Sequence, residues 1–274
     1  MKAKRLIPRF CCAALLASVF VTLHASAQGT VGGSQPKRLF SVAHVTQLRK
    51  GVDSWPVITG PSSPAVRRAN ALLNGMNRTL VRELHKCDKE FQQYAHAMDD
   101  KPPASTGGWD RKVSVKMRGP RFVSMVADQT QFCGGAYPDN DFFALVFDMT
   151  TGGLIDWKTF VSDTEDFEVI NRDVDGTASS QLIMPSLSSV VVSRADGECK
   201  QALEEENLSF LVWPDAKSGV LMVNPTGLPH VVQACEEPLG LTIDQARKLG
   251  FSDALLDSVA QAHGRASHAK QKTF

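Results

Sequence analysis

After residue 27 the sequence contains no apolar run approaching the roughly 20 residues that a bilayer-spanning helix requires. No later segment is therefore expected to cross a membrane as a helix. Charge of one sign is also missing: the chain carries 30 Lys and Arg against 29 Asp and Glu. That balance excludes the basic footprint of a nucleic-acid binder and the polybasic face of a membrane-surface protein. No Gly-x-Ser-x-Gly nucleophile elbow occurs. A Ser-x-x-Lys match at Ser34–Lys37 falls in a glycine- and serine-rich leader, where no rigid site can form. No His-Glu-x-x-His pattern occurs either. His44, His230, His263 and His268 are scattered, and His85 and His96 lie eleven residues apart on one helix, as surface residues would. Asn171 to Gly176 matches the opening of a calcium loop, but the twelfth position is Leu182 instead of glutamate, so a solvated turn is expected. Glu204, Glu205 and Glu206 read as a wet helix end. The expectation is of no metal, no cofactor and no catalytic residue set, leaning toward a protein that is not an enzyme. Carboxylate pairs assembled only by folding leave no linear trace.

What is present begins with an export signal. Lys2, Lys4, Arg5 and Arg9 form a basic start, Phe10 to Leu23 is apolar, and Ala25-Ser26-Ala27 fits a cleavage site before Gln28. Residues 1–27 read as a signal peptide, and the mature chain is expected to be periplasmic or secreted. It is not expected to be an integral membrane protein once the signal is cleaved. Without the four basic residues of the signal the balance becomes 26 basic against 29 acidic, a net charge of −3. Four cysteines remain: Cys87, Cys133, Cys199 and Cys235. An even count in an exported chain reads as two disulfides with three possible connectivities. No two of them lie close enough in sequence for a zinc motif.

Residues 28–47 read as a flexible leader with a possible first strand from Leu39, and Trp55 to Gly60 as a short strand. Ser63 and Pro64 then fit an N-cap and a first helical residue. Val66, Ala69, Leu73, Met76, Leu80, Leu84, Cys87, Phe91 and Tyr94 recur at steps of three and four, predicting a long helix with one apolar face. After a linker over Lys101–Gly108, strands are expected at Lys112–Met117, Arg121 to about Phe132, and Phe142–Asp148, with Thr151-Gly152-Gly153 reversing the chain. Helices are expected at Asp163–Asp173 and at Ser180–Val192, the second broken or kinked at Pro185. Leu208–Trp213 and Val220–Val223 read as a hairpin, and Pro229–Cys235 as another strand. Thr242 and Gln245 match a capping box for a short helix that Gly250 can close. The polar segment 262–274 is expected to be a disordered tail. Residues 48–261 thus read as a single α+β domain, a mostly antiparallel sheet packed by one long helix and several shorter ones. Such a helix on such a sheet would bring Cys87 to Cys133 and leave Cys199 for Cys235.

The most distinctive segment is Phe132-Cys133-Gly134-Gly135-Ala136-Tyr137-Pro138, followed by Asp139, Asn140, Asp141 and the Asp148–Trp157 hairpin. This block, with the Trp55 strand, the helix after it and the Leu228-Pro229-His230 segment, resembles the extracellular domain of the lysozyme-sensing anti-sigma factors (the RsiV type). That domain also occurs beside some peptidoglycan deacetylases. The pattern departs at one point, since Tyr137 stands where such domains have a histidine. Tyrosine keeps a ring and a hydroxyl but gives up an imidazole that titrates near neutrality. The resemblance implies an exported binding protein whose partner is a peptidoglycan hydrolase or lysozyme-like protein, with inhibition or immunity as the outcome. A second implied role is a peptidoglycan-binding module. The anti-sigma role itself is not expected, because only nine residues precede the apolar segment. Gly134, Gly135, Tyr137, Pro138, Asp139 and Asn140 are the partner-binding candidates: glycines for close backbone approach, an amphipathic ring, and an acidic rim suited to basic lysozymes. The same turn could equally serve only to reverse the chain and seat a disulfide.

Overall fold

The long apolar stripe forms α1, Pro64–Ala97, a helix of 34 residues. Ser63 caps it through its hydroxyl, which accepts from the Val66 amide at 3.1 Å. Val66, Ala69, Leu73, Met76, Leu80, Leu84 and Cys87 are buried along one face, as the three-and-four spacing requires. His85 and His96 point outward and are exposed. The computed structural model describes residues 40–97, 108–162, 167–174 and 177–271. Residues 1–27, read from the sequence as a signal peptide, the leader up to residue 39, most of the 101–108 linker and residues 175–176 of the calcium-loop match lie outside them.

Helix α1 rests on a six-stranded sheet ordered β2-β3-β5-β6-β7-β8. Its strands are Gln47–Arg49 (β2), Val52–Asp53 (β3), Gly108–Arg118 (β5), Phe122–Phe132 (β6), Asp139–Asp148 (β7) and Gly153–Leu154 (β8). All pairs are antiparallel except β3 with β5. Side chains alternate across a strand, so β6 and β7 each serve two layers. Val123, Met125, Ala127, Phe143, Leu145 and Phe147 pack with α1. Phe122, Val126, Ala144 and Val146 pack the other way. There they meet a second antiparallel sheet, ordered β13-β12-β11-β10-β9. Its strands are Glu168–Val174 (β9), Thr177–Ile183 (β10), Ser209–Asp215 (β11), Val220–Thr226 (β12) and Leu239–Leu241 (β13). The Ser124 hydroxyl, fully buried, stitches the sheets by donating to the Pro214 carbonyl at 2.6 Å. Helices Trp157–Phe160 (α2), Pro185–Arg194 (α3), Gly197–Glu205 (α4), Ile243–Lys248 (α5) and Asp253–Gln271 (α6) complete the α+β fold. Among the described residues no helix is long and apolar enough to cross a membrane. The described residues all belong to one compact unit.

Several local expectations are corrected. The described part of 163–173 is strand β9, not helix, because Val169, Ile170 and Val174 pair across a hairpin with β10. Residues 177–183 are also strand, and Pro185 starts α3 instead of kinking it. At N1 proline's missing N–H goes unneeded. Asn171 to Val174 of the calcium-loop match lie within β9, where Asn171 accepts from the Ser180 hydroxyl. The Leu39–Leu48 strand resolves into Ser41–Val42 (β1) and β2, and Trp55–Gly60 contributes only Ile58–Thr59 (β4), paired with β1. Asn70 and Asn77, two helical turns apart on α1, substitute for a further strand. Each accepts from and donates to one backbone unit, Ile58 and Trp55 respectively, at 2.8–2.9 Å. Pro229–Cys235 holds a 3-10 turn, His230–Cys235, instead of a strand. The polar tail is helical through Gln271: Ala262 is buried, and the His263 ring nitrogen Nδ1 bonds the Ala216 carbonyl at 2.9 Å.

One ion pair ties the hairpin after β7 together. Arg121 donates to Asp148 through Nη2 at 2.7 Å and Nε at 3.1 Å, with its guanidinium over the rings of Phe122 and Phe160. Burial pushes the Asp148 carboxyl up, but bonds from Arg121 and from the Thr150 amide and hydroxyl outweigh it and hold it below the usual carboxylate range. A depressed folded-state pKa adds stability that is complete above the unfolded value, about 3.9, and fades as pH falls through the folded one. Asp148→Asn is therefore expected to lose about 2 kcal/mol at pH 7. The deficit should shrink as pH drops from 5 toward 2, measured by denaturant unfolding across that range. A deficit independent of pH would show that ionisation of Asp148 does not matter.

Candidate functional site

The glycine-rich segment is the connection between β6 and β7. Backbone pairing runs as far as Gln131 with Asp139, and residues 132–138 project beyond it. Gly134 and Gly135 adopt φ of +108° and +114°, a region costly for residues with a Cβ. At Gly134 the need is also steric, since a Cβ would stand 2.7 Å from that of Tyr94. At Gly135 nothing lies within 4 Å, so only the backbone angle asks for glycine there.

Both ends of the turn are tethered. On one side Cys133 is joined to Cys87, buried on the α1 stripe. Phe132 beside it meets the rings of Phe91 and Tyr94 edge-on, each at 5.9 Å. On the other side Asn140 accepts at its side chain from the Thr130 hydroxyl and at its carbonyl from Gln233 Nε2 at 2.8 Å. Gln233 belongs to the His230–Cys235 turn, which Cys199–Cys235 pins to α4. Next to that turn, burial pushes the Glu236 carboxyl up, partly opposed by the amides of Leu228 and Gly227. Two disulfides thus hold two adjacent loops, and such bonds persist in oxidising compartments, which suits an extracellular or periplasmic protein.

Between these tethers the chain offers an uncommon surface. Tyr137 is 70% exposed, Val231 on the neighbouring loop is 91% exposed, and the Tyr137 ring lies 5.5 Å from that of His230. Among the described residues these are the two most exposed of the large hydrophobic side chains, and they stand on loops joined by the Gln233–Asn140 bond. Pro138 and Asp139 are exposed beside them. On the α1 side of the turn lies a cleft of about 590 Å³. Glu83, Glu90 and Asp139 line it against a single cation, Lys86, which stands 3.9 Å from each glutamate. Both tyrosines of the chain, Tyr94 and Tyr137, border this turn.

The six candidate residues of the turn are thus contiguous, with the glycines in the middle of the 132–138 connection, Tyr137 and Pro138 on its descending side, and Asp139 and Asn140 opening β7. His230, Val231 and Gln233 were missed as their neighbours. They lie at least 90 residues further along the chain, and the sequence marked their loop only through Cys235 and the resemblance of the Leu228-Pro229-His230 segment. Among the described residues no three His, Cys, Asp or Glu side chains gather as a metal-binding group.

No protein-family model and no curated protein matches the chain. Among solved structures it is similar to the crystal structure of a member of the DUF3298 family from Bacteroides fragilis. The TM-score is 0.46 and the identity 10%, over 82% of this chain and 98% of that one.

Proposed function

We propose that this is an exported, non-enzymatic binding protein that recognises and inhibits a peptidoglycan-cleaving enzyme of the lysozyme kind. One observation carries the reading: an open aromatic side chain, Tyr137, stands in a turn tethered on both sides. A preorganised turn loses little conformational freedom on binding, so the ring's contact area converts efficiently into affinity. The acidic groove alongside would favour a basic partner and speed its encounter. The RsiV-type resemblance of the sequence supplies the partner class.

The test is binding and inhibition of a panel of muramidases by residues 28–274. Binding at micromolar affinity or better is expected, weakened at least tenfold, about 1.4 kcal/mol, by Tyr137→Ala. The melting temperature should be unchanged, because the side chain is mostly free. Lack of binding across the panel would sink the proposal. Co-sedimentation with insoluble peptidoglycan, with lysozyme rates unaffected, would replace it by the glycan-module reading.

A further inference from the structure

A second cleft opens at the far end of β5, eight residues of strand and so roughly 27 Å from the Gly134 turn. Its volume is about 410 Å³, within the range of small-ligand sites. Lys116, Arg118, Lys217 and Arg265 line it, and no carboxylate does. None of the four takes part in an ion pair among the described residues. The one acid of the neighbouring β11–β12 turn, Asp215, spends its Oδ1 on the amides of Lys217 and Ser218, at 2.8 and 3.1 Å. In a chain with balanced charge, four unneutralised cations around one cleft do not follow from composition.

The cleft is firmly built. A register irregularity between Val115 and Met117 puts Lys116 on a bulge, a device that re-aims a side chain. The Lys116 carbonyl accepts from the Ala216 amide at 3.0 Å, and the Ala216 carbonyl bonds His263 of α6. Three separate elements are thereby locked around the opening. The floor is apolar, with Met117, Ala216 and Ala262 buried. Two guanidinium forks and two ammonium groups exceed what one carboxylate needs and suit the oxygens of a phosphate.

We propose that this cleft binds a phosphate ester with an apolar substituent, its phosphate among the four cations and its apolar part on the Met117–Ala216–Ala262 floor. The site is separate from the Tyr137 surface, so neither proposal depends on the other. Such an ester could be a free metabolite or the head group of an anionic lipid, and the same chemistry serves both.

The experiment uses residues 28–274, which contain the whole compact unit. Monomeric dihexanoyl phosphatidylglycerol, dihexanoyl phosphatidylcholine and inorganic phosphate are titrated by calorimetry, and phosphatidylglycerol vesicles are tested by sedimentation. The soluble anionic ester is expected to bind saturably, at least tenfold tighter than the other two, and more weakly as salt rises. Lys217→Glu with Arg265→Glu should abolish this while leaving the melting temperature and muramidase binding unchanged. Arg67→Glu with Arg68→Glu, exposed cations on α1, is the charge-matched control and should bind like the parent. Stronger capture by vesicles than by the monomeric ester assigns the ligand to a membrane, and the reverse assigns it to a free ester. Equal loss in both double variants, equal affinity for inorganic phosphate, or no saturable binding overturns the proposal.

Discussion

Gly152→Ala is expected to cost about 3–5 kcal/mol of stability, the largest effect of a single added methyl group among the described glycines. Two penalties coincide there. Gly152 has φ of +76°, where a Cβ meets its own backbone, and that Cβ would also overlap the carbonyl oxygen of Ala65 in the first turn of α1. The obstacle is helix backbone, so no side chain can rotate out of the way. Nor can the hairpin shift, because Asp148 holds the turn from both directions. Its carbonyl accepts from the amides of Thr151 and Gly152, and its carboxylate accepts from Thr150. The adjacent Gly153→Ala provides the control, since a Cβ there meets only the Thr151 hydroxyl at 3.6 Å, an ordinary contact. Urea unfolding of the two variants should give a strongly lowered midpoint for position 152 and a nearly unchanged one for position 153. Equal midpoints would show that α1 does not rest on this hairpin as described.

Cys133→Ser is expected to lose about 4 kcal/mol, because the bond to Cys87 closes a loop with a separation of 46 residues. The substitution also leaves the Cys87 thiol alone on the buried face of α1. Its second consequence concerns function: the turn would keep its attachment at Asn140 while losing the one at Cys133. Binding through Tyr137 should weaken beyond what the unfolded fraction explains, with faster dissociation. Denaturant unfolding gives the stability, and binding measured well below the melting temperature separates the two effects. A destabilised variant that still binds like the parent would show that rigidity of the turn is not needed. Peptide mapping without reductant checks the premise, since a Cys87–Cys199 or Cys87–Cys235 peptide contradicts the bond on which both expectations rest.

Much of the fold was legible in order because its signals are local. Helix α1 repeats its apolar positions over about eight turns, and the Thr242–Gln245 capping box forms as its spacing implies, with bonds of 3.0 and 3.2 Å. The pairing of Cys87 with Cys133 followed from the same stripe, since only an inward-facing helical cysteine can reach a strand end. Legibility failed where period and context disagreed. Residues 168–174 and 177–183 have no strong period of either kind, and it is their hairpin register that makes them strands. Pro185 admits either a kink or a helix start, and only the end of β10 just before it decides between them. His230–Cys235 carries Val231 and Val232, residues suited to a strand, but a disulfide and a preceding proline bend it into a tight turn.

By itself the sequence determined the apolar stripe of α1, the three long strands β5, β6 and β7, the glycine turn that carries Tyr137, and the balance of charge. These depend on spacing along the chain and on backbone angles that only certain residues accept. The tertiary structure alone decided which surfaces those elements share. It set Tyr137 beside His230, tied Asn140 to Gln233, gathered carboxylates along one side of the turn, and placed four cations around a cleft at the other end of the sheet. Each of these joins residues from separate elements, and in the two clefts and the Tyr137–His230 pairing they stand tens to more than a hundred positions apart. Side chains that meet only when sheets and helices stack leave no periodicity in the chain that carries them.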